Sequence, residues 1–306
     1  MKQIPLGKSG LQVPAIAVGC MRIKDISLKD AERFLDEALS MGCNFFDHAD
    51  IYGGGECESF FADAVHMSPA VRGKIILQSK CGIVPGVMYD FSKEHILSSV
   101  DGILSRLKTD YLDVLALHRP DALMDPEEVA EAFDLLQASG KVRHFGVSNQ
   151  KSSQMQLLQK YIKQPLVVDQ LQFSVTNSSV IQSGMEVNMT TDGAVDRDDS
   201  VLDYCRLNDI TIQTWSPFQY GFFEGTFLNN EKFPALNQVM DELASKYGVT
   251  NTTIAAAWIL RHPAKMQLIA GTTKVSRLSE ICRAADITLT REEWYRLYLA
   301  AGHMLP

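Results

Sequence analysis

The chain has 306 residues, of which 46% are hydrophobic and 22% are charged, and its formal net charge is −8. These proportions are typical of a soluble globular protein and argue against a disordered, collagen-like or coiled-coil chain. The acidic balance disfavours nucleic acid and anionic membranes as partners. The first residues have no apolar signal core and no stretch is long enough to span a bilayer, so we expect a cytoplasmic protein. The six cysteines form no C-x-x-C pattern, which favours reduced thiols over a zinc site or a disulfide framework.

A short hairpin followed by alternating strands and helices is predicted in chain order. Residues 3–13 read as the hairpin, with turn residues at 7–10. Helix signals include a cap at Ser27 with Gly42 after the last turn, and a capping box that starts at Asp125 and continues into Pro126. Eight short apolar runs predict strands, at 15–18, 44–46, 74–77, 112–117, 142–147, 166–168, 210–213 and 266–269.

Eight strands that alternate with helices indicate parallel βα units. A doubly wound sheet is the competing architecture, but no G-x-G-x-x-G follows the first strand and no linker divides the chain. We therefore predict an α/β fold, a (β/α)8 TIM barrel, as one domain over residues 1–306, with the N-terminal hairpin closing the barrel bottom. The long connections 173–200 and 218–235 are interpreted as loops over one face.

Polar residues follow the predicted strands at the end where TIM-barrel active sites lie. Reading only those ends gives Asp47, Lys80 and His118 after strands two to four, with Tyr52 in the next loop. Later strands end in Ser148 and Asn149, in Asp169 and Gln170, and in Trp215 and Ser216. Strands often end in polar residues simply because they meet water there, so a single polar residue at a strand end does not indicate an active site. The combination of Asp47, Tyr52, Lys80 and His118 does. These side chains should converge in one crevice.

Five segments resemble the aldo-keto reductases, in the family's order and spacing. They are FDHADIYG at 46–53, SKCG at 79–82, LHRPD at 117–121, KVRHFGVSN at 141–149, and IAGTTK at 269–274 with Arg277 and Glu280. The resemblance covers the chain from the first hairpin to the last barrel helix and is nearest to the bacterial, broad-specificity and mostly NADPH-dependent branch. It implies an NADP-dependent enzyme that reduces an aldehyde or a ketone.

The resemblance assigns four catalytic residues, and their chemistry is suited to carbonyl reduction. Tyr52 is the general acid, although a free tyrosine with a pKa near ~10 donates its proton poorly at neutral pH. The Lys80 ammonium is expected to lower that pKa, and Asp47 keeps Lys80 charged. His118 positions or polarises the substrate carbonyl.

The resemblance also implies a cofactor site. Ser148, Asn149 and Gln170 suit the nicotinamide carboxamide, and Trp215 offers a stacking face where many members have tyrosine. Lys274 and Arg277 follow strand eight, where two cations suit a 2′-phosphate and so favour NADP over NAD. The full predicted set is Met21, Arg22, Ser148, Asn149, Gln170, Trp215, Ser216, Pro217, Phe218, Gly221, Gly271, Thr272, Thr273, Lys274, Arg277 and Glu280, with no metal ligands.

Two departures from the family pattern stand out: His48 replaces a common Thr or Ser, and Ile281 replaces an asparagine that often contacts adenine.

Substrate specificity depends on pocket walls that we assign to Met21, Met88, Tyr89 and Arg119 and to the late loops. A monomer is the default expectation from the family.

Two other functions are consistent with parts of the pattern. A metal-dependent barrel hydrolase would use His48, Asp50 and His118 as ligands, with a carbamylated Lys80 as a bridge, but it leaves Trp215 and the late cations without a role. A regulatory module that binds NADP without efficient turnover is the other alternative. The four catalytic residues argue against lost catalysis.

Overall fold

Eight short strands, most of them buried on both faces, form the centre of a computed structural model that describes residues 1–305. Each strand pairs in parallel with the next and the eighth pairs with the first, so the sheet closes into a barrel. The predicted (β/α)8 barrel is therefore confirmed. The strands are β1 (Ile16–Gly19), β2 (Phe45–Asp47), β3 (Ile76–Cys81), β4 (Leu112–Leu117), β5 (Val142–Ser148), β6 (Leu166–Gln172), β7 (Thr211–Trp215) and β8 (Gln267–Ala270).

Helices surround the barrel, and the two whose N-caps the sequence predicted begin directly after Ser27 and Asp125. The Ser27 side chain accepts a hydrogen bond from the Asp30 amide, and Gly42 follows the same helix with φ of 80°. The helices are Leu28–Ser40, Glu56–Ala64, Pro69–Arg72, Lys93–Leu107, Pro126–Ala138, Ser152–Tyr161, Ser179–Met185, Val201–Leu207, Pro234–Tyr247, Asn251–Leu260, Val275–Arg283 and Arg291–Ala300. Short 3₁₀ turns lie at Ile23–Asp25, Tyr52–Gly55, Asp192–Ala194 and Ala284–Asp286. No helix within residues 1–305 has the length and apolar character needed to cross a membrane.

The predicted hairpin seals the bottom of the barrel. Its strands Gln3–Pro5 and Gln12–Pro14 pair antiparallel. The turn lies against the barrel so closely that a Cβ on Gly7, which has φ of 50°, would come within 2.5 Å of the Val167 carbonyl oxygen. The Gly7 amide donates to the Thr211 hydroxyl at 2.8 Å. The apolar side chains of the hairpin pack on the lower interior of the barrel.

Several predicted boundaries were wrong. Strand β3 extends to Cys81 and β6 to Gln172, so Lys80 and Gln170 lie inside strands rather than after them. The connection 173–200 contains the helix Ser179–Met185 and the 3₁₀ turn Asp192–Ala194, and the connection 218–235 contains a two-stranded ribbon of Gln219–Tyr220 and Gly225–Thr226. At the predicted capping box, the observed cap is a single bond, in which the Asp125 carboxylate accepts from the Glu127 amide.

Candidate active site

Asp47 and Lys80 form a dry ion pair at the upper end of β2 and β3. Lys80 Nζ lies 2.7 Å from Asp47 Oδ1 and donates to the His48 carbonyl at 2.6 Å. Neither side chain is more than 3% exposed. Burial opposes the charged form of Lys80, but Asp47 and then Tyr52 outweigh it and raise the pKa of the ammonium. The site therefore holds a cation without contact with bulk water.

Tyr52 lies beside this cation, as the sequence predicted. It begins a 3₁₀ turn in the loop that follows β2, and the Lys80 Nζ atom lies 5.1 Å from the centroid of its ring. Burial raises the pKa of Tyr52, while Lys80 acts in the opposite direction. Lys80 therefore acts on this pKa in the expected direction, but the net shift is upward because removal of the phenol from water outweighs the neighbouring charge. The phenol is held protonated.

His118 follows β4 and completes the set. Its ring lies 6.1 Å from the ring of Tyr52, at 83°, and its Nδ1 atom is buried without a hydrogen-bond partner among residues 1–305. Burial, together with the charges of Lys80 and Arg119, brings the pKa of His118 well below its ordinary value. The imidazole is therefore neutral at physiological pH and suited to donate or accept one hydrogen bond.

A second cluster lies at the ends of β5, β6 and β7. The Trp215 indole donates to Asn149 Oδ1 at 3.1 Å, and Asn149 Nδ2 donates to the Ser148 hydroxyl at 2.8 Å and the His118 carbonyl at 3.4 Å. Asn149 adopts φ of 59°, which its short polar side chain tolerates. The Ser148 hydroxyl donates to the Gln170 carbonyl at 3.0 Å. Four of the predicted cofactor residues are therefore connected to one another and to the backbone that carries His118.

Gln170 also reaches the ion pair. Its Nε2 atom donates to Asp47 Oδ1 at 3.0 Å, and Gln78 Nε2 donates to the same oxygen at 2.7 Å. Sequence reasoning missed Gln78 because it assigned that position to the outgoing end of a strand whose length it underestimated. The strict inward and outward alternation along β3, which places Gln78 and Lys80 on the same side, was the available signal.

Aromatic side chains surround Trp215 at the rim. Phe223 stacks on the indole at a centroid distance of 5.8 Å, Phe222 meets it edge-on at 6.3 Å, and the Arg119 guanidinium lies 5.7 Å from its ring. Met21, Met88 and Tyr89 are all exposed. Sequence reasoning missed Phe222 and Phe223, although two consecutive phenylalanines in a connection over the active face were a visible signal.

The segment after Trp215 turns sharply over the site. Ser216 has φ of 49°, Pro217 is buried, and Phe218 accepts at its carbonyl from the Phe227 amide. The Gly221 carbonyl accepts from Gln172 Nε2 at 2.6 Å. This segment is thereby anchored to β6 as well as to β7.

Lys274 and Arg277 lie at the start of the helix Val275–Arg283, directly after β8. Both are exposed, and neither forms an ion pair within residues 1–305. No side chain caps this helix, so its first amides and its positive dipole end are available to an anion. A Cβ on Gly271, three residues before Lys274, would meet no atom within 4 Å, so the space at Gly271 is open. The predicted phosphate end is therefore chemically suited to an anion.

The remaining predicted cofactor residues lie after β8, near Lys274 and Arg277, or after β1. Thr272 and Thr273 are half-buried, and the Thr272 hydroxyl accepts from the Lys274 amide at 3.1 Å. Glu280 is half-buried further along the helix, and Arg22 is exposed after β1. Ile281, the departure from the family pattern, is buried in the hydrophobic core.

A family model described as the aldo/keto reductase family matches residues 15–298. The chain belongs to the aldo-keto reductase family. It is 36% identical to the uncharacterized oxidoreductase YcsN of Bacillus subtilis, with all of both chains covered. It is 32% identical to a 6-dehydroglucose reductase of Novosphingobium aromaticivorans, over 98% of this chain and 96% of that one. It also resembles the thermostable aldo-keto reductase Tm1743, solved with the inhibitor epalrestat, at a TM-score of 0.78, 26% identity, and coverage of 98% and 100%.

As an aldo-keto reductase, the chain is an oxidoreductase of a family that uses NAD(P)H. The ligand set of the hydrolase alternative does not assemble: His48 is fully buried against Phe61 at a ring distance of 4.6 Å, with both ring nitrogens unpartnered, and burial lowers its pKa to about 3. Within residues 1–305 no group of three or more His, Cys, Asp or Glu side chains is placed to hold a metal ion.

Proposed function

We propose that this aldo-keto reductase uses NADPH to reduce an aldehyde or a ketone, with Tyr52 as the general acid. The observation that carries the proposal is the buried Asp47–Lys80 pair at 2.7 Å beside the Tyr52 ring. A neutral phenol next to a permanent ammonium is a proton donor whose conjugate base is stabilised as it forms.

Each residue of the site has a separate task in this reaction. When bound, the nicotinamide supplies the hydride to the carbonyl carbon. Tyr52 gives its proton to the carbonyl oxygen, and the Lys80 ammonium stabilises the phenolate that remains. Asp47 prevents Lys80 from losing its proton in a site without water. His118, neutral at physiological pH, orients the carbonyl oxygen through a hydrogen bond.

The residues available to hold NADPH match its chemistry at both ends. Ser148, Asn149 and Gln170 present amide and hydroxyl groups beside the Trp215 face, which suits a nicotinamide carboxamide. Lys274 and Arg277 present unpaired cations at a free helix N-terminus, which suits a phosphate. A 2′-phosphate on the cofactor therefore supplies an interaction that NADH lacks.

Tryptophan fluorescence tests cofactor binding directly. We expect NADPH to quench the protein at micromolar concentration and NADH to act much more weakly, because only NADPH engages both cations. Trp258 and Trp294 stack on each other at 4.7 Å inside the core, so Trp215→Phe is a matched control in which quenching is largely lost. Consumption of NADPH with an aromatic aldehyde then measures turnover. A protein that binds neither nucleotide contradicts the proposal.

A further inference from the structure

Four buried glutamines fill the interior of the barrel below the ion pair. They are Gln78 of β3, Gln170 of β6, Gln213 of β7 and Gln267 of β8, and none is more than 3% exposed. TIM-barrel interiors are usually filled by branched apolar side chains. We call these four residues the glutamine network. Four amides in a dry interior are costly unless every donor and acceptor is paired.

Strand register brings the glutamine network together. Gln170 lies opposite Gln213, Gln213 lies opposite Gln267, and Asp47 lies opposite Gln78 in the ladders of neighbouring strands. Gln78 and Gln213 stand on strands across the barrel from each other and meet in its centre. Gln213 is therefore the one member that touches all three others.

Hydrogen bonds connect Asp47, through the glutamine network, to the barrel bottom, and Gln78 and Gln213 donate to each other. Gln213 Oε1 accepts from Gln78 Nε2 at 2.7 Å and from Gln170 Nε2 at 3.1 Å. Gln213 Nε2 donates to Gln78 Oε1 at 3.0 Å and to Gln267 Oε1 at 2.8 Å. Gln267 Nε2 donates to the Pro14 carbonyl at 2.8 Å.

Groups that only accept fix the orientation of every amide. The Pro14 carbonyl requires the amino group of Gln267, so the Gln267 oxygen faces Gln213 and takes the amino group of that residue. The Gln213 oxygen then faces the amino groups of Gln78 and Gln170. Each of these amino groups donates its second hydrogen to Asp47 Oδ1. Asp47 Oδ1 therefore accepts hydrogen bonds from both glutamines and from Lys80.

We propose that Gln213 is a positioning residue for the catalytic acid: it orients Gln78 and Gln170 so that both amides donate to Asp47. Without Gln213, either amide can rotate and present its oxygen to the carboxylate, which repels it. Asp47 then holds Lys80 less firmly beside Tyr52. Because Gln170 also belongs to the predicted carboxamide site, the same network connects the cofactor side to the proton-donor side. This inference rests on the proposed function.

The test is a double-mutant cycle between Gln213→Met and Asp47→Asn, read as single-turnover reduction of an aromatic aldehyde by NADPH. We expect Gln213→Met to lower the rate about tenfold in the wild-type background, the effect of losing a hydrogen bond to a charged group. In the Asp47→Asn background we expect a change below twofold, since the residue through which Gln213 acts has already been altered. A matched control is Gln164→Met, because Gln164 is equally buried but bonds to Asp134 and Gln137 outside the barrel.

A role confined to packing would lower the rate by the same factor in both backgrounds, and that result overturns the proposal. An unchanged rate in Gln213→Met overturns it as well. Where Gln213→Met does not fold, as judged by its thermal transition, Gln267→Met removes only the group that orients Gln213. We expect Gln267→Met to lower the single-turnover rate about threefold in the wild-type background. In the Asp47→Asn background, we expect Gln267→Met to leave the rate unchanged.

Failure of the proposed function is distinguishable from failure of this inference. A wild-type protein that binds NADPH but reduces no aldehyde contradicts the reductase assignment alone. The dissociation constant of NADPH then tests the network through Gln170, and we expect Gln213→Met to raise it about threefold. An unchanged constant overturns the inference.

Discussion

At the scale of single residues, the proposed reaction depends on the phenol of Tyr52. We expect Tyr52→Phe to lower kcat about 10²- to 10⁴-fold, because it removes the phenolic proton donor beside Lys80 and keeps the ring. NADPH affinity should change little, since the ring is retained and no predicted cofactor contact is removed. Steady-state kinetics and fluorescence titration measure the two quantities separately.

Tyr161→Phe, at a partly exposed position on an outer helix, is the matched control and should leave kcat unchanged. Turnover that survives in Tyr52→Phe would mean that another group, with His118 the nearest, supplies the proton.

Residue positions predicted which side chains meet at this site better than they predicted its electrostatics. Asp, Lys, His and Tyr lie near successive strand ends, the family resemblance implied their roles in carbonyl reduction, and the structure brings these four side chains together. The direction of the pKa shift of Tyr52 was not predictable, because it depends on how much water the fold removes from the phenol. Burial is set by side chains from distant parts of the chain.

At the scale of elements, the helix Val275–Arg283 carries the predicted distinction between cofactors. We expect Arg277→Ala to raise the dissociation constant of NADPH roughly 10- to 100-fold and to leave that of NADH nearly unchanged, because a charge-assisted bond to phosphate is lost. Fluorescence titration with both nucleotides measures this difference.

Arg283→Ala on the same helix is the control, since Arg283 donates to the Gly248 carbonyl far from the first turn. Equal loss of NADPH and NADH affinity in Arg277→Ala would place Arg277 at a part of the cofactor that both nucleotides share.

The sequence predicted that the barrel strands exist more accurately than it predicted the residues at which they end, and β3 shows the reason. The apolar run of β3 stops at Leu77, but the strand continues through Gln78, Ser79 and Lys80, all fully buried. Periodicity detects where apolar residues stop, whereas a barrel strand continues wherever its neighbours supply hydrogen bonds. Polar residues inside such a strand need partners from across the barrel, and a single segment contains no information about them.

At the scale of the whole molecule, the closed barrel creates contacts that no local pattern contains. Gln78 and Gln213 are 135 positions apart and meet only because eight strands close on each other. The sequence was enough to predict the number of strands, the hairpin and the end that carries the site. The polar layer beneath that site was invisible, since each glutamine alone looks like an ordinary strand residue.

Whole-molecule stability should depend on pH through Asp169, which faces away from the glutamine network on β6. It is fully buried, neither carboxylate oxygen has a hydrogen-bond partner within residues 1–305, and burial raises its pKa to about 8. The unfolded chain releases this proton near pH ~4 while the folded chain keeps it, so this residue's contribution to stability declines as the pH rises from about 4 to 8.

We therefore expect Asp169→Asn, which cannot ionise, to stabilise the protein more at pH 8 than at pH 4.5, by roughly 1–3 kcal/mol. Denaturant unfolding at the two pH values measures the difference. Asp110→Asn is the control, because Asp110 is exposed and its substitution should act equally at both. A gain of the same size at pH 4.5 and pH 8 would show that Asp169 is ionised in the folded barrel across this range.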